Sequence, residues 1–123
     1  MPESFARKTL TEATFLILIS LCEPRHGYGV MQYIAAATNG RVTLGAGTLY
    51  GAINLLLDKG WIEHFTGGGD RKKMYRLTQK GMNAVEIEMN RFHELLAIGN
   101  QALFDASRSN GPVEHNPYGK RGN

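Results

Sequence analysis

The sequence has one cysteine and one tryptophan in 123 residues. With Cys22 alone, an internal disulfide and a cysteine-based zinc cluster are excluded, and we expect Cys22 to be a buried helix residue. The apolar segment 13–21 is too short to span a bilayer. It follows two basic residues, as in a secretion signal, but Leu21 stands where cleavage requires a small residue. We therefore expect a cytoplasmic protein without a membrane partner.

Motifs of enzymes and of metal sites are also lacking. The segment 45–50 fails the dinucleotide-binding pattern GxGxxG because Tyr50 stands at its last glycine, and there is no Walker sequence. The four histidines include no pair at i, i+4, which argues against a metal site. No acid/base or nucleophile set stands out either. The sequence thus predicts a protein that is not an enzyme and has no cofactor.

Basic charge is concentrated in one short segment. The net charge is +3, and the isoelectric point is about 9.2. From Asp70 to Lys80 there are five basic residues and one aspartate. From residue 82 to residue 105, by contrast, there are four acidic residues and one basic residue, Arg91. A basic segment beside the glycines at 67–69 suits contact with phosphates or a minor groove. The alternative is a solvated surface hairpin.

Hydrophobic periodicity predicts three helices followed by a β-hairpin. The helices are expected at about 10–21, capped by Thr9 and Glu12, then at 26–38 and at 46–59, with Gly60 as the residue that ends the third. Two-residue alternation over 61–66 and a return at 73–77 predict the hairpin. This order is that of a winged helix-turn-helix. The predicted fold class is mainly α with a small β-hairpin (α+β).

A long last helix is expected from about Gln79 to Phe104, with apolar residues at heptad spacing. A helix with such an apolar row must pack on the first helix or on a second subunit. Its length favours a homodimer, because a helix of this length extends beyond a domain this small. The predicted dimerisation residues are Met82, Val85, Met89, Phe92, Leu96 and Leu103. Residues 1–77 then form the winged helix-turn-helix domain, 78–105 the dimerisation helix and 106–123 a disordered tail.

The start of the third helix suits DNA binding. Gly45 and Gly47 let the backbone approach closely, and amides at a helix N-terminus favour a phosphate. Hydroxyls of Thr43, Thr48 and Tyr50 can bind phosphates or base edges. The alternative is that the glycines only shape a turn.

Spaced motifs over about residues 8–100 resemble the PadR family of transcriptional regulators, in particular its short subfamily with a single C-terminal helix. They include Pro24-Arg-His-Gly-Tyr-Gly29, Gly47-Thr-Leu-Tyr-Gly51, Lys59-Gly-Trp-Ile-Glu63 and Arg71-Lys-Lys-Met-Tyr-Arg-Leu-Thr78. The resemblance implies a winged helix-turn-helix, a homodimer built on the last helix and repression released by a small molecule. It also implies a set of DNA-binding residues. These are Tyr28 and Tyr50 on phosphates, Thr43, Gly45 and Thr48 at the recognition helix, and Arg71, Lys72 and Lys73 on the wing.

The sequence therefore predicts a sequence-specific DNA-binding regulator, a ligand-responsive repressor that binds double-stranded operator DNA as a homodimer. A small aromatic effector is expected in a cleft lined by Phe15, Met89, Phe92 and Leu96, although these residues could instead fill the dimer core. The alternative function is a winged-helix protein-interaction module without specific DNA binding. A salt titration separates the two functions, because phosphate contacts give a steep negative slope.

Overall fold

The structure is a computed structural model that describes residues 10–66 and 73–110, the last of these by its backbone only. These residues form four helices and three strands. The helices are α1 (Glu12–Ser20), α2 (Gly27–Ala37), α3 (Ala46–Lys59) and α4 (Gln79–Asn110). The strands are β1 (Arg25–His26), β2 (Ile62–Phe65) and β3 (Met74–Leu77), in an antiparallel sheet of order β1-β3-β2. The predicted class, mainly α with a small β-hairpin, is confirmed.

Helix α1 is capped two residues later than predicted. The side chain of Thr11 accepts a hydrogen bond from the backbone N–H of Thr14 at 3.1 Å, which satisfies one of the free amides of the first turn. Thr9, the predicted cap, lies outside the described residues. The helix ends at Ser20, so Cys22 lies in the turn that follows and is exposed. The prediction that Cys22 is buried in a helix was wrong.

The hydrophobic core draws on every helix and on all but the shortest strand. Packing of the three helices against β2, β3 and the start of α4 buries side chains whose removal from water stabilises the fold by roughly 1.5–3 kcal/mol each. The buried apolar residues are Ile17, Leu18, Leu21, Val30, Ile34, Leu49, Ile53, Leu56, Ile62, Tyr75, Leu77 and Val85.

Strand β1 was not predicted from the sequence. Arg25 pairs with Tyr75 and His26 with Met74, and the N–H of Leu77 donates to the carbonyl oxygen of Leu21 at 2.8 Å. A strand of two residues shows no periodicity that a sequence could reveal. Its consequence is that the chain entering α2 is hydrogen-bonded to the hairpin.

Helix α4 is longer than predicted, because it ends at Asn110 rather than Phe104. Residues 106–110 are therefore helical where the sequence predicted a disordered tail, and residues 111–123 lie outside the described part. The chain divides into two compact units, Met1–Glu88 and Met89–Asn123, a division that falls within α4 rather than at residue 77. In the described part, no helix is long and apolar enough to cross a membrane.

Candidate nucleic-acid interface

Helix α3 begins without a side-chain cap. Its N-cap residue is Gly45, which offers no side-chain acceptor to the first amides of the helix. These amides lack acceptors within the helix and carry its positive dipole end, so they attract anions such as phosphates. A side chain at Gly45 or Gly47 would meet no atom within 4 Å, which means that the surface around the helix start is open.

The turn before α3 is held by its own hydrogen bonds and by one ion pair. The hydroxyl of Thr38 donates to the carbonyl oxygen of Ile34 at 2.8 Å and accepts from the N–H of Val42 at 3.0 Å. Arg41 forms a two-bond ion pair with Glu12 at the start of α1. The hydrogen bond from the Arg41 side chain lowers the pKa of the Glu12 carboxyl, and the positive charge acts in the same direction. The position of the turn is therefore tied to α1.

The predicted contact residues of the turn and of α3 are all exposed. Thr43, Gly45 and Thr48 lie at the surface, whereas Leu49, next to Thr48, is fully buried in the core. Burial of Leu49 fixes the rotation of α3, because side chains at neighbouring positions point in different directions around a helix. As a result, the hydroxyl of Thr48 faces solvent at the open start of the helix.

Tyr28 lies at the start of α2, and the ring of Tyr50 reaches the residue before it from α3. Tyr28 is 66% exposed, and Tyr50 is 41% exposed. A Cβ atom at Gly27 would stand 2.1 Å from the hydroxyl oxygen of Tyr50, so only glycine leaves room for this ring. The hydroxyl of Tyr50 thus lies beside the residue that precedes Tyr28. The phenol of Tyr50 is therefore placed where α2 and α3 approach each other, and Tyr28 is exposed at the start of α2.

The hairpin presents less free positive charge than the sequence suggested. Arg76 Nε donates to a carboxylate oxygen of Glu63 at 2.8 Å, across the pair that these residues form between β2 and β3. This ion pair removes Arg76 from the basic charge counted for the segment. Lys73 is exposed, and its carbonyl oxygen lies 3.3 Å from Nδ1 of His26, a hydrogen bond in which Nδ1 donates. Arg71 and Lys72 lie outside the described residues.

The predicted dimerisation residues fall into two groups. Val85 is only 6% exposed and belongs to the core of its own subunit, and its part in dimerisation stays a prediction. The other five residues are exposed. Their exposed fractions are 40% for Phe92, 42% for Met82, 51% for Met89, and 63% for both Leu96 and Leu103.

The predicted effector residues are divided between the two compact units. Phe15 is half-buried against the core of the unit Met1–Glu88. Met89, Phe92 and Leu96 belong to the other unit and are exposed. The effector site therefore stays a prediction.

Sequence reasoning missed the role of Arg41. It was not singled out because its partner Glu12 is 29 residues away in the chain.

A family model for the PadR-like transcriptional regulators matches residues 15–87. The chain belongs to this family. The match covers the winged helix-turn-helix elements and the first turns of α4, including the tyrosines and the turn described above. This PadR-like chain is therefore a transcriptional regulator of a DNA-binding family, and the resemblance found in its motifs is confirmed. A search of curated protein sequences found no match.

Two solved structures of PadR family regulators agree with this family membership, and a third solved structure shares the fold. A PadR family regulator from Eggerthella lenta is 27% identical, with a TM-score of 0.60 over 73% of this chain and 80% of the other. A PadR family regulator from Clostridium difficile R20291 is 24% identical, with a TM-score of 0.62 over 76% of this chain and 99% of the other. BpsR of Bordetella bronchiseptica is 25% identical, with a TM-score of 0.55 over 80% of this chain and 67% of the other. The PadR-like chain thus has the winged-helix fold of these regulators.

Proposed function

We propose that this PadR-like protein is a repressor that binds double-stranded operator DNA sequence-specifically as a homodimer and responds to a small ligand. The observation that carries the proposal is the open, uncapped start of α3. It combines free backbone amides with the exposed hydroxyls of Thr43 and Thr48, beside the phenols of Tyr28 and Tyr50. Amides and phenols position a protein on phosphates, whereas hydroxyls close to the groove can also read base edges.

The wing supports an orientation of the protein in which the start of α3 faces the DNA. Strand β1 pairs the start of α2 with β3, and the carbonyl oxygen of Lys73, the residue directly before β3, accepts a hydrogen bond from Nδ1 of His26. With Arg71 and Lys72, predicted on the same wing, this lysine supplies positive charge for neighbouring phosphates. Phosphate contacts from the wing would then accompany base contacts from α3 in the major groove.

A homodimer is supported by the apolar residues that α4 leaves exposed. Phe92, Leu96 and Leu103 lie at heptad spacing, and an apolar row on a long helix is stabilised when a second helix covers it. Two-fold symmetry would present two copies of α3 to half-sites about one helical turn, roughly 34 Å, apart. The operator is therefore proposed to be a pseudo-palindrome.

Ligand response is supported by one of the structural neighbours. DNA binding by BpsR of Bordetella bronchiseptica is regulated by 6-hydroxynicotinic acid, a small aromatic compound. For this chain, Phe15, Met89, Phe92 and Leu96 remain the residues proposed from the sequence for an aromatic effector. A ligand regulates only if it binds the two states of the dimer with different affinity.

Selection of the operator from random DNA, followed by binding assays at several salt concentrations, tests the function. We expect one enriched pseudo-palindrome and a steep fall of affinity with salt. Thr48→Val keeps the size of the side chain but removes the hydroxyl, and it should weaken operator binding by about tenfold while leaving random DNA unaffected. No enriched sequence together with a flat salt dependence would instead indicate a protein-interaction module.

A further inference from the structure

The end of α3 is joined to the start of α4 by backbone and hydroxyl groups. Gly60 directly follows α3, and Thr78 directly precedes α4. The hydroxyl of Thr78 donates to the carbonyl oxygen of Gly60 at 2.6 Å, and the N–H of Thr78 donates to the carbonyl oxygen of Trp61 at 3.0 Å. We call these three residues, together with Gly81, the α3–α4 joint. The joint lies within the unit Met1–Glu88 and connects the recognition helix to the helix proposed for dimerisation.

The backbone of the joint allows little movement. The N–H of Trp61 donates to the carbonyl oxygen of Leu56 at 3.0 Å, which holds Trp61 to the last turn of α3. A Cβ atom at Gly81 would stand 2.0 Å from the carbonyl oxygen of Trp61, so only glycine lets the first turn of α4 approach so closely. Backbone therefore lies directly on backbone at this point, without a flexible side chain that could absorb a change of angle.

The hydroxyl of Thr78 has two roles in the joint. It accepts a hydrogen bond from the N–H of Gly81 at 3.1 Å, the ordinary contact of an N-cap residue, and it donates to Gly60. An aspartate would cap α4 as well, but a carboxylate has no proton to donate to the carbonyl oxygen of Gly60. Thr11 at the N-cap of α1 differs, because its hydroxyl donates to that of Thr14 in its own helix at 2.9 Å. The bond from Thr78 to Gly60 thus goes beyond what capping requires.

We propose that Thr78 and Gly81 are positioning residues for operator binding, because the joint sets the angle between the recognition helix and the first turns of α4. The dimer and the operator belong to the proposed function, on which this role rests. A tilt of about 10° over about 17 Å, half the distance between half-sites, displaces a recognition helix by about 3 Å. This displacement is close to the rise of one base pair. A loose joint would therefore leave binding to one half-site intact and weaken binding to both half-sites at once.

The test measures the distance between the two recognition helices of the dimer, without DNA. Nitroxide labels are attached to Asn54→Cys, at an exposed position of α3, in a Cys22→Ser background because Cys22 is exposed as well. Pulsed electron–electron double resonance then gives the distribution of distances between the subunits. We expect one narrow distribution for the protein with an intact joint. Thr78→Asp should broaden it about twofold, because capping remains but the bond to Gly60 is lost.

Three further variants separate positioning from stability. Thr78→Ser retains the hydroxyl and should restore the narrow distribution. Thr11→Asp makes the same exchange at the cap of α1 and should leave the distribution unchanged. Gly81→Ala must push α4 away from the carbonyl oxygen of Trp61, so it should shift the mean distance. With the operator, Thr78→Asp should bind DNA with both half-sites about tenfold more weakly and DNA with a single half-site equally well.

The proposal would be overturned by an unchanged distribution in Thr78→Asp or in Gly81→Ala. Equal broadening in Thr78→Asp and Thr11→Asp would also overturn it, since a general loosening of the protein would then explain the effect. So would equal losses of affinity for DNA with one half-site and with two. A protein without any distance between subunits would refute the homodimer and the positioning role with it. Failure to select an operator would refute the proposed function, whereas the distance measurements would still decide whether the joint fixes α3.

Discussion

The two compact units use the same helical pattern for different purposes. Val85 and Leu96 both belong to the heptad row of α4, yet Val85 is 6% exposed and Leu96 is 63% exposed. Before Glu88, Val85 completes the core of the subunit although Met82 is 42% exposed, whereas from Met89 onward the described residues of the row are all open to solvent. An apolar row at constant spacing therefore does not tell which part of a helix serves folding and which part serves assembly.

This difference has an energetic consequence. Isolated helices are marginally stable in water, and most of their stability in proteins comes from packing of an apolar face. The first turns of α4 have that packing within the subunit. Stability of the second part is expected to depend on a second subunit, which makes it the region where a single substitution changes assembly most.

The largest effect is expected from Leu96→Asp. It would place a charge without a partner in the proposed dimer interface, which is costly, and should raise the dimer dissociation constant by at least about 100-fold. Sedimentation velocity measures this, and operator affinity should fall with it. Asn90→Asp is the matched control, since it adds the same charge at an exposed position outside the row. An intact Leu96→Asp dimer would show that the row does not form the interface.

Removal of the wing charges should weaken DNA binding by the N-terminal unit and leave dimerisation unchanged. Replacement of Arg71, Lys72 and Lys73 by alanine should weaken binding to every DNA sequence and flatten the salt slope by about 3 per subunit, while the dimer persists. Arg76→Gln serves as the comparison, because Arg76 is already paired with Glu63 and should change the slope much less. A slope that the triple variant leaves unchanged would exclude the wing from the DNA interface.

Val85→Ala and Leu103→Ala should separate folding from assembly. Val85→Ala creates a cavity in the core and should lower the free energy of unfolding by about 2 kcal/mol at any protein concentration. Leu103→Ala should lower stability only through the dimer, so that its effect varies with protein concentration. Urea unfolding at two concentrations distinguishes them. The same concentration dependence for both variants would contradict the division of α4 proposed here.

The smallest effect is expected at the ion pair of Glu12 and Arg41. Because the folded protein lowers the pKa of Glu12, the stabilisation is present above the ordinary carboxyl value of 4.5 and is lost as the pH falls through the lower value of the folded state. Both side chains are exposed, so Glu12→Gln should lower the melting temperature at pH 7 by only about 2 °C. The difference from the unaltered protein should vanish in acid.

The bounds of a helix could be predicted where residues typical of helix ends stand in the sequence. The bounds of α3 agree with the prediction because Gly45 and Gly60 stand at its two ends, and Gly60 has the expected positive φ of 77°. The exposure of Thr48 could be inferred, since Leu49 and Ile53 define the buried face of α3.

Features that depend on partners far apart in the chain were not predictable in this way. Strand β1 exists through pairing with β3, and the charge of Arg76 is neutralised by Glu63, 13 residues away. Periodicity describes one element at a time and cannot report how several of them combine.

The close fit of the Tyr50 ring over Gly27 limits how this scaffold could be re-engineered. New operator specificity is commonly sought by exchanging the recognition helix between homologues. Here a graft of residues 46–54 would have to retain Tyr50, or else accept an empty space above Gly27 that loosens the helix pair. A homologue with any side chain at the position of Gly27 would be unsuitable as the recipient of this helix, because that side chain would collide with the Tyr50 ring. Positions 27 and 50 should therefore be transferred together, as one unit of design.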